Sequence, residues 1–306
     1  MIALQLIYEG KDITDAVEIH KADITDNAGG IADSLEVWFD DPEGFWSQWK
    51  PKKNDEVQIK EDGFDSGRMY IDELEQQRGL FIIRALAIPQ DAKTENTKAW
   101  ENVRFLEIVT ELARKYGFLL ETYNIQNPFY ERVDQFEQAD FAFLAWRCLL
   151  EGYMLKITDR KVIIYDERNM EAQAPVKVIY IDEFDGDYSF LQKSAWIYGG
   201  CRISFGDIKY EFKPSGAFGP VLKFAGIYVS SHSEAERFAK NILRSKNKYE
   251  NTGYCTIELA PGIAAGNVIQ IQGVGMADGK YFCEQVTHKL TNKKTFLKLR
   301  KPLEGY

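Results

Sequence analysis

The chain contains the segments Asn54-Asp55-Glu56-Val57-Gln58-Ile59, Gly67-Arg68-Met69-Tyr70-Ile71-Asp72-Glu73-Leu74 and Phe81-Ile82-Ile83-Arg84-Ala85-Leu86. A later stretch follows the same plan, with Gly266-Asn267-Val268-Ile269-Gln270-Ile271, Gly279-Lys280-Tyr281-Phe282-Cys283-Glu284-Gln285-Val286 and Thr295-Phe296-Leu297-Lys298-Leu299-Arg300. In both stretches eight residues separate the last isoleucine of the first segment from the glycine that opens the second. The following interval is fourteen residues in one stretch and sixteen in the other. We place the two extra residues in the turn at 290–294, because turns tolerate insertions.

The likeness extends to residue types. Each glycine is followed by a basic residue, and an acidic residue, Asp72 or Glu284, stands five positions after it. Strand–turn–strand patterns are common, but these shared features favour a duplicated β module over chance. Two such modules in one chain would let a trimer imitate a sixfold ring, and a closed ring leaves no exposed strand edge.

The sequence around the first stretch is typical of β structure. Leu35, Val37 and Phe39 alternate with polar or amphipathic residues at a period of two. Short apolar segments follow, separated by turn residues, until Pro89 closes the run. The pattern predicts an antiparallel barrel-like or sandwich-like domain.

The middle of the chain has helical periodicity. Apolar residues from Phe105 to Tyr116 recur at helical spacing, with Asn102 as a candidate N-cap and Gly117 at the C′ position. A second helix is predicted from Phe141 to Glu151. Its expected N-cap is Asp140, and Gly152 is expected to end it. A β-hairpin is predicted next, with strands 153–158 and 161–165 joined by Asp159-Arg160.

After about Val176 the pattern is again rich in strands, with one helix between them. Ser233 and Glu236 have the spacing of a capping box at its start. Basic side chains gather towards its end, and we favour a solvated helix end over an anion site for them: Lys240, Arg244, Lys246 and Lys248.

The sequence therefore predicts a mainly β fold, with two antiparallel β-barrel-like tube domains flanking an α+β insertion. The expected division is 1–95 for the first tube domain, 96–170 for the insertion and 171–306 for the second tube domain. Strands near 177–205 are candidates for completing the first tube domain.

Composition excludes several classes of protein. A chain of 306 residues with 45% hydrophobic residues can bury the cores of two or three domains. Its net charge of −9 argues against non-specific nucleic-acid binding. No run of 18 apolar residues predicts a membrane span, and the first residues resemble no export signal, so we expect synthesis in the cytoplasm. The widely spaced Cys148, Cys201, Cys255 and Cys283 are expected to be reduced and mostly buried.

Charge is distributed unevenly along the chain. Residues 191–306 hold 17 Lys and Arg against 9 Asp and Glu, a net +8, whereas residues 1–190 hold 21 against 38, a net −17. This asymmetry fits either an electrostatically oriented assembly partner or simple drift in surface composition.

No catalytic, metal or cofactor site is predicted. The chain has no nucleophile-elbow or His-Glu-x-x-His motif, and His20, His232 and His288 are far apart in sequence. Gly273-Val274-Gly275 is expected to be a β-turn, since no helix is predicted after it.

A pair of acidic residues remains as a weaker signal for a glycosidase. Asp72 and Glu73 should point to opposite faces of one strand, whereas Asp72 could still meet Glu75 or Asp182-Glu183. The alternative function is therefore a cell-wall-degrading or carbohydrate-binding module. Trp46 and Trp49 fit either the core of the first tube domain, which we favour, or an interface with another subunit.

Taken in order, several segments resemble the late control gene D family of phage tail hub proteins. The family is similar to the central baseplate hub of large contractile-tailed phages and to the N-terminal part of type VI secretion spike proteins. The segments that carry the resemblance span nearly the whole chain: Asp33-Ser34-Leu35-Glu36-Val37-Trp38-Phe39-Asp40-Asp41, Trp49, Asn54–Ile59, Met69–Glu73, Trp100, Tyr116-Gly117-Phe118, Gln135–Leu144, Gly279-Lys280-Tyr281 and His288. Gln138-Ala139 departs from the Glu-Ser usual in the family.

The resemblance implies a structural, non-enzymatic role. A homotrimer with pseudo-sixfold symmetry would join a hexameric tail tube to a trimeric spike within a baseplate. Its implied partners are the tail tube protein, the spike protein and other baseplate proteins, without a membrane segment or specific nucleic-acid binding. Since the sequence ends soon after the second module, we expect another chain to supply the spike.

Overall fold

Strands dominate the part of the chain that the computed structural model describes, residues 4–61 and 63–305. In chain order the strands are β1 (Gln5–Tyr8), β2 (Lys11–Asp12), β3 (Glu18–Asn27), β4 (Ser34–Asp40), β5 (Glu56–Glu61), β6 (Phe64–Asp65), β7 (Met69–Gln77), β8 (Leu80–Leu86), β9 (Glu95–Arg104), β10 (Leu119–Tyr123), β11 (Phe129–Ala139), β12 (Tyr153–Thr158), β13 (Lys161–Asp166), β14 (Lys177–Tyr180), β15 (Ser189–Gln192), β16 (Gly200–Phe205), β17 (Ile208–Phe212), β18 (Val221–Ala225), β19 (Asn251–Glu258), β20 (Val268–Gln272), β21 (Gly279–Lys289) and β22 (Lys294–Arg300). The helices are α1 (Phe45–Trp49), α2 (Phe105–Lys115), α3 (Asp140–Glu151), α4 (Glu167–Ala172) and α5 (His232–Asn247). The predicted mainly β fold with an α+β insertion is confirmed.

One long sheet runs through both ends of the chain. Its main path is β15-β19-β22-β21-β3-β4-β8-β7-β5-β1-β2, with β20 and β14 attached beside β21 and with β6 beside β5. We call β1–β8 the first module, and β14, β15 and β19–β22 the second module. The two modules meet where β21 pairs with β3.

Alternating residues put one face of each module into a core. In β4, Leu35, Val37 and Phe39 are buried, as their period predicts. They pack with Trp46 of α1 in the core of the first module. A separate core fills the second module and includes Ile271, Phe282 and Leu297 among others.

The sequence repeat is a structural repeat with one register. In the first module Val57 lies opposite Met69, and in the second Ile269 lies opposite Tyr281. Each residue of the second pair stands 212 positions after its counterpart in the first. A β-bulge then falls at Asp72 in β7 and at Glu284 in β21, again 212 residues apart. Because a one-residue slip would turn every side chain to the opposite face, this agreement identifies equivalent strands.

Backbone hydrogen bonds at the strand entrances agree as well. The Asn54 N–H donates to the Ile71 carbonyl at 2.8 Å, and the Ile71 N–H donates to the Asp55 carbonyl at 2.9 Å. At the same offset, the Gly266 N–H donates to Cys283 at 2.8 Å, and the Cys283 N–H donates to Asn267 at 2.9 Å. The two extra residues lie between β21 and β22, as expected.

The modules differ at one edge. β1 pairs antiparallel with β5, whereas β14 pairs parallel with β20. The second module is therefore not wholly antiparallel. Strands near 177–205 do not pair with the first module, since β14 and β15 pair with β20 and β19, and β16 belongs to another sheet.

The middle layer collects helices and three small sheets. Helices α2, α3 and α5 share one core with β9–β13 and with the sheet β17-β16-β18. The predicted hairpin of β12 and β13 is present, and Asp159 and Arg160 have positive φ in its two-residue turn. Residues 200–247 thus pack on the middle core, although they follow the first strands of the second module.

Three helix starts differ from the sequence predictions. Helix α2 is capped at Arg104 rather than Asn102, with Glu107 bonding back to the cap backbone. Asp140 is the first residue of α3 and not its cap. The cap of α5 is Ser231, whose Oγ accepts from the Glu234 N–H at 3.2 Å, so the proposed Ser233 capping box is wrong by two residues.

Candidate assembly surfaces

The junction between the modules shows how this fold joins one module to the next. Residues 285–289 of β21 pair antiparallel with residues 23–27 of β3. Side chains reinforce the backbone pairing: Thr25 Oγ1 lies 3.1 Å from Thr287 Oγ1, and Gln285 Nε2 donates to Asn27 Oδ1 at 2.8 Å. The junction is therefore an ordinary sheet seam with polar contacts on one face.

Each module also has an edge that corresponds to one side of this seam. Residues 73–77 of β7 are equivalent to residues 285–289 of β21, and within the described chain they pair only with β8. Strand β15 is the equivalent of β3, since it pairs antiparallel with β19 in the way that β3 pairs with β4. Within the described chain β15 has no second strand partner. Both edges leave backbone donors and acceptors available for another strand.

A ladder of charged side chains crosses the first module on the face opposite its core. Glu36 accepts from Lys21 Nζ at 2.6 Å and from Arg84 Nε at 2.8 Å. Arg84 also contacts the carboxylates of Glu73 at 3.2 Å and Glu75 at 2.8 Å. Burial favours the neutral acid, but hydrogen bonds from Lys21 and Arg84 lower the pKa of Glu36. This face therefore keeps a line of ionised groups leading to the β7 edge.

The middle layer is joined to the seam by a mostly buried lysine. Lys156 of β12 donates to the carboxylate of Asp26, to the Asn27 carbonyl at 3.0 Å and to Asp33 Oδ2 at 3.0 Å. Asp33 in turn accepts from the Asn27 N–H at 2.8 Å. This contact holds the end of β3 in place beside β21.

A larger buried ion cluster joins the middle layer to the second module. Arg300 Nη2 lies 2.9 Å from Glu167, its Nη1 lies 2.6 Å from Glu171, and its Nε pairs with Glu284 at the bulge. Two cations from the end of α5 complete the cluster: Lys248 is 2.6 Å from Glu167, and Arg244 is 2.5 Å from Glu171.

This cluster corrects the prediction for the end of α5. Arg244 and Lys248 are buried in internal ion pairs, so they form neither a solvated helix end nor an open anion site. Lys240 pairs with Glu236 one turn earlier, and Lys246 is exposed.

The two tryptophans divide between the two interpretations. Trp46 is buried and stacks on Phe81, with ring centroids 5.3 Å apart, which confirms it as core. Trp49 rests against Trp46 but is 49% exposed. Trp49 therefore contributes an aromatic surface beside the first module.

The acidic residues considered for catalysis have structural partners. The Asp72 carboxylate accepts from Gln90 Nε2 at 2.6 Å and pairs with Lys93. Glu75 belongs to the charged ladder, and Glu183 accepts from the Tyr180 N–H at 3.0 Å. Asp72 and Glu73 nevertheless line one surface cavity together with Glu36 and Arg84, because the bulge at Asp72 interrupts the alternation of the strand.

The other candidate residues differ in their surroundings. His288 is buried and its Nδ1 lies 3.0 Å from Thr295 Oγ1, whereas His20 is exposed beside Asp40. The four cysteines are free and buried, as expected. Between Gly273 and Gly275, the backbone N–H groups of Gly273 and Val274 donate to Asp278. Among residues 4–61 and 63–305, no group of three or more His, Cys, Asp and Glu side chains could hold a metal ion.

A polar network lies at the start of α3, around one of the motifs that carried the family resemblance. The Asp140 carboxylate is buried and accepts from Gln135, Lys115 and Tyr116, each at 2.7 Å. Although burial opposes ionisation, the hydrogen bond from Lys115 and its companions lower the pKa of Asp140. The motif Gln135–Leu144 carried the signal, because its glutamine and aspartate belong to the network, which Asn96 also joins by donating to Asp140 at 3.2 Å.

Large exposed apolar side chains were not anticipated. Met276 lies fully exposed in the loop between β20 and β21, and Phe218 is 90% exposed after β17. Trp196, 78% exposed, follows β15. No helix in the described part of the chain combines the length and apolarity needed to cross a membrane.

The sequence matches no protein-family model and no curated protein, but its fold matches solved structures. The 43 kDa tail protein of prophage MuSo2 from Shewanella oneidensis superposes with a TM-score of 0.77 at 11% identity, covering 98% of each chain. A tail protein from Neisseria meningitidis MC58 gives 0.76 at 13% identity, covering 97% of this chain and 96% of that one. The E. coli c3393 protein, a type VI secretion component described as similar to bacteriophage T4 tail proteins gp27 and gp5, gives 0.63 at 11% identity, covering 98% and 78%. The chain thus shares its fold with these phage tail and type VI secretion proteins.

Proposed function

We propose that this protein is a structural hub of a contractile phage tail or a related injection particle. Three copies form a ring of six β modules, which meets a hexameric tail tube on one side and a trimeric spike on the other. The observation that carries the proposal is the shared register of the two modules, including the bulges at Asp72 and Glu284. A chain with two equivalent modules gives a threefold assembly six similar positions.

The similar solved structures support this role, since they include tail proteins and a type VI secretion component that share the whole fold. The protein would be made in the bacterial cytoplasm and incorporated into the baseplate of the particle, beside other baseplate proteins. Its proposed role is to fit the hexameric tube to the trimeric spike, and this role needs no cofactor.

We propose tube domains and an insertion close to the divisions 1–95, 96–170 and 171–306, with one amendment. Residues 200–247 count with the insertion, because their apolar side chains, such as Ile203 and Phe238, pack into the middle core.

Solution mass and co-purification test the proposed hub. Sedimentation of the full chain over a range of concentrations should reveal a species of three times the 35.2 kDa chain mass. Purified trimer should also capture tube or spike protein expressed from the same tail gene cluster. A protein that stays monomeric at high concentration and associates with no tail component contradicts the proposal.

Zymography on peptidoglycan tests the enzymatic alternative. A hub gives no lysis band. A band that disappears in an Asp72→Asn variant would favour the cell-wall-degrading function.

A further inference from the structure

We infer that the β7 edge of one copy pairs with residues 189–193 of the next copy, in the register that the chain uses internally between β21 and β3. The inference rests on the proposed ring and specifies which strands would close it. It makes the seam between copies a repetition of the seam within each copy.

The register follows from two equivalences. Strand β21 maps onto β7 by the 212-residue offset. Leu86 of β8 maps onto Arg300 of β22, because Leu86 pairs with Tyr70 and Arg300 pairs with the equivalent Phe282. Strand β4 therefore maps onto β19, since Ser34 pairs with Leu86 and Thr252 pairs with Arg300. Since Thr25 pairs with Ser34 and Leu191 pairs with Thr252, Thr25 of β3 maps onto Leu191 of β15.

Transferring the internal pairs through these equivalences gives the pairs between copies. The internal partners are Gln285 with Asn27, Val286 with Asp26, Thr287 with Thr25, His288 with Ile24 and Lys289 with Asp23. The corresponding partners between copies are Glu73 with Lys193, Leu74 with Gln192, Glu75 with Leu191, Gln76 with Phe190 and Gln77 with Ser189.

The chemistry of the transferred pairs fits an interface. Gln285 and Asn27 contact each other through their side chains in the internal seam, and the corresponding pair, Glu73 and Lys193, has opposite charges. Glu73 is 62% exposed, and Lys193 has no ion pair within the described residues. Leu191 is 54% exposed and would be covered by the incoming strand. Opposite charges directly across two strands stabilise pairing.

The contact is head-to-tail, because the two edges belong to different modules of the chain. Such a contact closes into a ring when its rotation permits and never gives an isolated twofold dimer. The uneven charge supports this order, since β7 lies in the segment 1–190 with net −17 and Lys193 lies in the segment 191–306 with net +8.

A pair of introduced cysteines tests the register. Thr25 and Thr287 bring their Oγ1 atoms to 3.1 Å in the internal seam, so Glu75→Cys with Leu191→Cys should place two thiols face to face between copies. The native cysteines are buried and free, which keeps the background low. Mild oxidation of the full chain should give covalent dimers and trimers on a non-reducing gel and nothing larger.

The matched control shifts one cysteine by two residues. Gln77→Cys with Leu191→Cys lies on the same face but separates the paired positions by about 7 Å along the strand, beyond disulfide reach. Equal cross-linking of both pairs, or a trimer without cross-links, overturns the inferred register and leaves the hub proposal standing. A protein that remains monomeric contradicts both.

Charge reversal gives a second test that does not depend on oxidation. Lys193→Glu should weaken trimer formation roughly tenfold at low salt, because it places like charges opposite each other. Adding Glu73→Lys should restore association. Loss without rescue, in variants whose circular dichroism is unchanged, counts against the pairing.

Discussion

Arg300 shows at the scale of one residue how the second module is attached to the middle layer. Its side chain has no exposed surface and pairs with three carboxylates, those of Glu167, Glu171 and Glu284. A buried charge that loses its partner is far more costly than an exposed one.

Removing this guanidinium should therefore destabilise the protein strongly. Arg300→Gln should lower the free energy of unfolding by about 3–5 kcal/mol, since it leaves buried carboxylates uncompensated. Arg84→Gln, in the partly exposed ladder, should cost less than about 1 kcal/mol. Denaturant titration measures both, and similar losses would contradict the assigned role of the cluster.

Glu167 should make stability depend on acid pH. Burial favours its neutral form, but Lys248 and Arg300 outweigh burial and lower its pKa from 4.5 to about 2. Because the folded pKa is depressed, its stabilisation is complete above about pH 4.5 and is lost as the pH falls towards 2. The slope of unfolding free energy between pH 4.5 and 2.5 should be shallower in Glu167→Gln, and an unchanged slope would argue against these ion pairs.

Sequence inspection could not find such clusters. Glu167 and Arg300 are 133 residues apart, and no local pattern links them. Trp46 was predicted correctly as core because large aromatic residues are usually buried. The same rule fails for Trp49, which is half-exposed because the described chain does not cover that side of α1.

At the scale of elements, the start of α5 shows why caps are hard to place from sequence. Five polar residues precede the apolar stripe, and both Ser231 and Ser233 have a glutamate three positions later. The N-cap is Ser231, because its backbone has the extended φ and ψ that an N-cap requires.

Substitution of the two serines should separate the true cap from the apparent one. Ser231→Ala should cost about 1 kcal/mol, because it removes the acceptor for the Glu234 N–H. Ser233→Ala is the control and should change stability by no more than about 0.5 kcal/mol. Thermal unfolding compares them, and a larger loss at Ser233 would restore the original capping box.

Strands were predicted best where one face meets a core. The alternation of Leu35, Val37 and Phe39 and the repeated spacing at 54–88 and 266–300 all identified real strands. The parallel pairing of β14 with β20 and the transfer of β16–β18 to the middle layer depend on long-range packing, which short periodicities do not encode.

At the scale of the whole molecule, the two modules are equivalent but the middle layer occurs once per chain. A closed ring of three copies should therefore show six similar lobes from the modules and three additional densities from the middle layers. Electron-microscopy class averages viewed along the ring axis would display this pattern. Twelve lobes, or three lobes without subdivision, would contradict a ring of three chains with two modules each.

The seam between β21 and β3 has a consequence for dilution. Its two strands belong to one polypeptide, so their pairing is intramolecular and does not depend on protein concentration. Lowering the protein concentration can separate one molecule from another but never divides this pair. In a ring of such molecules, half of all seams are therefore already formed before any two molecules collide.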